Sequence, residues 1–257
     1  KKFSKTTTLE DNVKSTRLNK FIANAGVCSR READKLIQGE KIKVNNKIVT
    51  EMGYQVMPND VVIYNGKKLS AEKFVYILLN KPKGFVTTTK DPHAEKTVMD
   101  LVKKASTERL YPVGRLDKET TGLLVITNDG ELTQKLTHPS NNIAKIYNAT
   151  LHKPISKDDQ LKLVEGIELD DGKSHFDELS ILPDDKKEVG IEIHSGKNRI
   201  IRRMFEHLDY HVRKLDRVTF AGLTKKDLPR GKYRFLTEKE VFTLKKSRKE
   251  RSQLKKD

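Results

Sequence analysis

Apolar positions along the chain follow two regimes: helical spacing near the N-terminus, then strand-like runs. Leu18, Phe21, Ile22 and Ala25 recur on one helix face, and Gly26 stops that helix. Ser29 opens a second helix, with Glu32 placed to complete a capping box and Ala33, Leu36 and Ile37 as the apolar stripe. After Gly39, the alternation of Ile42 and Val44 predicts a strand, Asn45-Asn46 a turn, and Ile48-Val49 the returning strand. Residues 61–64, before Asn65-Gly66, give another strand. The pattern predicts a compact helix–helix–strand unit over residues 16–64 and a linker over 65–73.

Residues 74–79 form a near-continuous apolar run that Lys81-Pro82-Lys83-Gly84 turns and residues 85–88 continue. Residues 123–126 read as a short buried strand closed by Asn128-Asp129-Gly130. Further strands are expected at 147–151, 167–169, 189–193 and 218–220, and helices at 132–136 and 199–208. Strands outnumber helices, so residues 74–244 are read as an α+β domain on a mainly antiparallel, mixed sheet. Residues 1–15 carry no periodicity and are expected to form a flexible basic arm; 245–257, mostly Lys, Arg and polar, a disordered basic tail. The first residue is Lys1 rather than Met, so a longer natural N-terminus is expected.

Charge narrows the partners. The 257 residues carry a formal net charge of +16, which favours polyanions, either nucleic acid or an anionic membrane surface. No apolar run approaches the roughly 20 residues that span a bilayer, and the charged, Thr-rich N-terminus has no signal-like stretch. The single cysteine, Cys28, cannot form an internal disulfide, which fits a reducing compartment; a cytoplasmic protein is expected.

Candidate chemistry centres on Asp117, between Arg115-Leu116 and the apolar run at 123–126, on a loop fixed at both ends. Most loop aspartates are turn or capping residues. The whole string, Gly-Arg-Leu-Asp-Lys-Glu-Thr-Thr-Gly-Leu-Leu-Val-Ile-Thr-Asn-Asp-Gly over 114–130, closely resembles the second motif of the pseudouridine synthases in the RsuA/RluB/RluE/RluF branch. In that family the Asp of Gly-Arg-Leu-Asp is the catalytic residue. The Asn-Lys-Pro-Lys-Gly stretch at 80–84 is similar to the family's first motif.

The resemblance implies the pseudouridine synthase fold with its cleft across the sheet. It also implies isomerisation of uridine, which needs no redox cofactor, metal or energy source. The uridine must leave its stack to expose C1′. Tyr147 matches the family's active-site Tyr, which lies against the base; alone, a strand Tyr is more often core. Arg202, in Arg199-Ile200-Ile201-Arg202-Arg203-Met204, matches the Arg that pairs with the catalytic Asp. Alone, that segment is an ordinary amphipathic basic helix with Arg199, Arg202 and Arg203 on its polar face. Ile200 departs from the family's Gln and is expected to join the apolar stripe. Arg115 resembles the residue that extrudes the uridine or fills its place; its bland role is a salt bridge.

The N-terminal strings Arg-Leu-Asn-Lys-Phe-Ile-Ala and Cys-Ser-Arg-Arg-Glu-Ala-Asp-Lys-Leu-Ile resemble the S4 RNA-binding domain. Arg17, Lys20, Arg30, Arg31 and Lys35 lie away from its apolar stripe and are read as phosphate contacts, with Arg199 and Arg203 as further RNA-binding residues. A basic solvated face is the plain alternative.

Other chemistries fit poorly. The stretch 190–197 spaces its glycines one residue too far apart for a phosphate loop, and Asn198 replaces the required hydroxyl. His207 and His211 have helical metal-pair spacing without the accompanying Glu, so no metal is expected. No Gly-x-Gly-x-x-Gly follows a strand, which argues against a nucleotide-cofactor enzyme. The expected protein is a monomeric rRNA pseudouridine synthase acting on large-subunit (23S) rRNA or an assembly intermediate. The alternatives are a small-subunit (16S) rRNA or tRNA synthase, or an inactive S4-containing assembly factor.

Overall fold

The computed structural model describes residues 15–70, 73–89 and 96–246. The expected arm and tail lie outside these, apart from Ser15, Lys245 and Lys246. The chain divides into two compact units, one ending at Lys73 and the other beginning at Phe74.

In the first unit, β1 (Thr16–Arg17) leads into α1 (Leu18–Asn24), followed by α2 (Arg30–Gln38), β2 (Ile42–Val44), β3 (Lys47–Ile48), β4 (Gln55–Val56), β5 (Val62–Tyr64) and β6 (Lys67–Lys68). The capping box at α2 is present: Glu32 N–H donates to Ser29 Oγ, and Ser29 N–H donates to the Glu32 carboxylate at 2.8 Å. Asn45 and Asn46 both adopt positive φ, as a tight hairpin turn between β2 and β3 requires. Leu18, Ile22, Ala33, Ile37, Ile42, Val44 and Val62 form the small core. The expected linker is a correction: β6 pairs with β5 through the Asn65-Gly66 turn, so its first residues belong to this sheet.

The second unit is built on a nine-stranded sheet. Its strands are β7 (Tyr76–Lys81), β8 (Tyr111–Pro112), β9 (Thr121–Thr127), β10 (Lys145–Leu151), β11 (Glu178–Ile181), β12 (Glu188–Ile193), β13 (Val212–Phe220), β14 (Leu223–Thr224) and β15 (Tyr233–Phe235). The main path runs β11-β12-β10-β13-β9-β7-β15, and every pairing is antiparallel except that of β9 with β13. Helices α3 (Val98–Val102), α5 (Lys157–Glu165) and α6 (Ile200–His207) bury side chains in the larger core; α4 (Gly130–Thr137) and α7 (Glu238–Lys245) do so in the smaller. Alternate residues of β7 and β9 divide between the two cores: Ile77, Leu79, Leu124 and Ile126 enter one, Leu78, Leu123 and Val125 the other. A sheet covered on both faces explains why these strands read as unbroken apolar runs.

The parallel pairing of β9 with β13 sets Gly122 against Arg217. Gly122 has φ +109°, and a Cβ there would collide with the Arg217 backbone. Neither strand can retreat without losing its ladder. Gly122→Ala should therefore cost about 3 kcal/mol or more, read as a lowered midpoint in urea unfolding; an unchanged midpoint would contradict this packing.

Candidate active site

Asp117 lies on the loop between β8 and β9, and the loop is held by its backbone. Asp117 starts a turn that Thr120 N–H closes on its carbonyl at 3.0 Å. The preceding Leu116 is buried, and the hydroxyl of buried Thr87 both donates to its carbonyl (2.7 Å) and accepts from its N–H (3.2 Å). Gly84 N–H donates to the Lys118 carbonyl at 2.9 Å. The first-motif strand and turn thus clamp the loop, leaving the Asp117 side chain about one-third exposed.

The centre of this clamp is Lys81, fully buried at the end of β7. Its ammonium donates to the carbonyls of Asp117 (3.0 Å), Lys118 (3.3 Å), Thr120 (2.7 Å) and Pro82 (3.2 Å). Burial lowers its pKa to about 8, against the opposing pull of Asp117 and Glu119. Sequence reasoning missed Lys81. The available signal was a lysine directly following the buried run Ile77-Leu78-Leu79-Asn80, where a cation needs a dedicated set of acceptors.

Across from Asp117 stands the loop 194–199, which leads into α6. Arg199, at the N-cap of α6 with φ 45°, brings Nη1 to 3.5 Å from Asp117 Oδ2. Arg202 borders the same cleft, but its Nη1 donates to the Val212 carbonyl at 2.7 Å and its Nε has no partner among the described residues. Burial and neighbouring Arg199 push the Arg202 pKa down, with Asp117 pulling it up. The direct cation at the carboxylate is thus Arg199, and Arg202 stands behind it. A reading by helix position cannot see this, because Arg199 sits at the bend before the helix rather than on its face. Arg203 is committed to Asp171 at 2.9 Å and to the Asn198 carbonyl. Ile200 is buried in the larger core, as its substitution for a polar residue led one to expect.

Lys145 does for this second loop what Lys81 does for the first. Its ammonium donates to the carbonyls of His194 (2.7 Å), Ser195 (3.3 Å) and Ile143 (3.1 Å), and burial, then Arg217, lowers its pKa to about 8. Two strand-borne lysines therefore fix the two loops that carry Asp117 and Arg199.

Between the loops opens a cleft of about 1030 Å³, at the upper end of the roughly 300–1,000 Å³ usual for small ligands. Tyr147 on β10 borders it with its ring largely buried, and exposed Arg115 lies beside Asp117 at its edge. The cleft collects a carboxylate, an aromatic ring and several cations, an arrangement suited to one polyanion-borne planar group. Among the described residues no helix is long and apolar enough to cross a membrane.

Comparison with known proteins decides the family. Residues 75–207 match the RNA pseudouridylate synthase family, and residues 16–62 the S4 domain. The chain belongs to the RNA pseudouridine synthases. This synthase is 44% identical over 232 residues to the ribosomal large subunit pseudouridine synthase B of Bacillus subtilis, covering 89% of this chain and 95% of that one. It is 38% identical over 237 residues to the dual-specificity RNA pseudouridine synthase RluF of Escherichia coli K12, covering 90% and 78%. A crystal structure of a pseudouridylate synthase superposes with a TM-score of 0.63 at 30% identity, covering 90% of this chain and all of that one.

In the S4 domain of the synthase, Arg30, Arg31 and Lys35 are exposed on α2, Lys20 is half-buried on α1, and Arg17 is exposed at the α1 N-cap. These cations avoid the stripe made by Leu18, Ile22, Ala33 and Ile37.

Proposed function

We propose that this synthase isomerises specific uridines in large-subunit rRNA, with Asp117 as the catalytic carboxylate and the target base flipped into the cleft. The observation that carries the reading is the Asp117 carboxylate on a loop clamped by Lys81, 3.5 Å from Arg199, at a cleft bordered by Tyr147. A carboxylate beside C1′ is what glycosidic exchange requires, either to bond to that carbon or to take a ribose proton. Arg199 offers it a counter-cation at 3.5 Å, Tyr147 offers a face to the extruded base, and Arg115 is placed to enter the space the base leaves. Arg202 backs Arg199 by adding positive potential. Contacts of catalytic hydrogen-bonding groups are often long before substrate arrives, which suits the 3.5 Å spacing.

The S4 cations Arg17, Lys20, Arg30, Arg31 and Lys35 would grip rRNA phosphates, which orient the RNA without reading its sequence. Large-subunit rRNA is favoured by the relative sharing 44% of residues, named for that subunit. Such a substrate suits a cytoplasmic enzyme, and the isomerisation would need neither cofactor nor metal.

The test uses unmodified rRNA transcripts labelled with tritium at uridine C5, since forming the new C–C bond expels that hydrogen. Release from large-subunit transcripts alone is expected. Release only from small-subunit rRNA or tRNA would move the substrate, and no release from any RNA would contradict the reading.

A further inference from the structure

One charged group in the cleft has no role in the account above. Arg217, on β13, is only 3% exposed, yet it borders the cleft. Its Nε donates to the Leu123 carbonyl at 2.7 Å and its guanidinium stacks 4.5 Å from the centre of the Phe220 ring. No carboxylate pairs with it among the described residues, and its Nη2 finds no acceptor. A buried guanidinium lacking a counter-charge is costly, and the Leu123 carbonyl and Phe220 ring offset only part of that cost. The neighbouring cation Lys145 adds to the positive potential rather than relieving it.

Position gives this cation a direction. Arg217 lies opposite Tyr147 in the β10–β13 register and opposite Gly122 in the β9–β13 register. It therefore flanks the ring assigned to the target base, beside the start of the strand that follows the Asp117 loop. We propose that Arg217 is a catalytic residue on the base side of the reaction, donating a hydrogen bond to a carbonyl oxygen of the detached uracil. The inference rests on the synthase reading given above.

The chemistry of the step supports it. The C1′–N1 bond breaks and its electron pair leaves with the base, while Asp117 either bonds to C1′ or takes a ribose proton. The base then turns and C5 bonds to C1′; C5 loses its proton, N1 gains one, and Asp117 is restored. Between the two bonds the uracil is an anion whose charge spreads to its carbonyl oxygens. A preorganised cation in a site shielded from water stabilises such charge most effectively. The Leu123 carbonyl and the Phe220 ring fix the guanidinium beforehand, so no reorganisation is needed as the charge develops. A phosphate is the weaker candidate, since backbone phosphates stay hydrated at the rim while this group is buried.

The test compares single-turnover loss of the target nucleoside in two RNAs, one with uridine and one with 5-fluorouridine at the modified position. Fluorine stabilises the detached base and so reduces the need for Arg217. The full-length Arg217→Met enzyme should be slowed about 100-fold or more on uridine but no more than about 10-fold on 5-fluorouridine, relative to wild type. Its RNA affinity should stay within about twofold. Equal slowing on both RNAs, or none, would overturn the proposal in favour of a packing role. If the Met variant does not fold, Arg217→Gln, which removes the charge, carries the same comparison; the same ratio is expected, and equal slowing on both RNAs is decisive against. Wild-type turnover in the same assay separates the two claims: its presence leaves the synthase reading standing whatever the variants do, and its absence removes both.

Discussion

Asp117→Asn should abolish pseudouridine formation while leaving rRNA affinity nearly intact. The substitution keeps size and the loop, since the loop is held through backbone groups by Lys81, Thr87 and Gly84 and not through the Asp117 side chain. What disappears is the anion, and with it both the nucleophile or base and the ion pair to Arg199. Loss of an essential group costs several powers of ten in rate. Single-turnover conversion above about one percent of wild type would show that another group does the chemistry. RNA binding rests mainly on cations elsewhere, so the dissociation constant should move little.

The second large effect belongs to Lys81. Lys81→Met removes the donor shared by the carbonyls of Asp117, Lys118, Thr120 and Pro82. A displacement of the carboxylate by about 1 Å can cost on the order of 100-fold in rate, and a loss of that size is expected, again with unchanged RNA affinity. The pH dependence has a distinct signature. The folded-state pKa of Lys81 is about 8, below the ordinary 10.5. Between those values the unfolded chain binds more protons, so this group makes stability rise with pH through the window, having cost the most below pH 8. The clamp behaves oppositely, because a neutral amine keeps only two donors. Activity should therefore fall above about pH 8 while the unfolding midpoint does not fall with it through this group. Lys145, with a pKa also lowered to about 8, titrates over the same range and reinforces the loss. A rate that stays flat to pH 9.5, with a Lys81→Met enzyme as fast as wild type, would rule out the clamp.

Much of this was legible in the sequence, wherever local chemistry and periodicity agree. The Ser29–Glu32 capping box, the Asn45-Asn46 turn and the apolar run in β9 are each decided by neighbours in the chain. The second motif drew attention to Asp117, and the cleft gathers Asp117, Tyr147, Arg115, Arg199 and Arg202. Helices α3, α5 and α7 escaped because they bury only one or two residues each, leaving a faint stripe. The strand expected at 167–169 reduces to a single bridge between Ile167 and Ser174, and the continuation at 85–88 to one between Val86 and Thr97. Short apolar runs do not reveal whether a partner strand is available. Conversely, the strand expected at 218–220 extends back to Val212, because β13 is sandwiched between β10 and β9, which pair its backbone on both edges.

The site was least legible where its groups act across the sheet. Lys81 and Asp117 are 36 positions apart, and Lys145 and His194 are 49 apart. The buried run before Lys81 signals that its ammonium needs acceptors, but nothing nearby says that a distant loop supplies them. That Asp117 pairs with Arg199 rather than Arg202 has the same origin. Helical spacing places Arg202 well, but Arg199 reaches Asp117 because its positive φ turns the chain just before α6.

The most direct test of the central claim is a pseudouridine map of all cellular RNA from cells lacking this protein, complemented with either the wild-type or the Asp117→Asn gene. Wild type should restore pseudouridine at one or a few large-subunit rRNA positions, and Asp117→Asn, expressed to the same level, should restore none. Restoration by both genes, or identical maps with and without the protein, would contradict a synthase that works through Asp117.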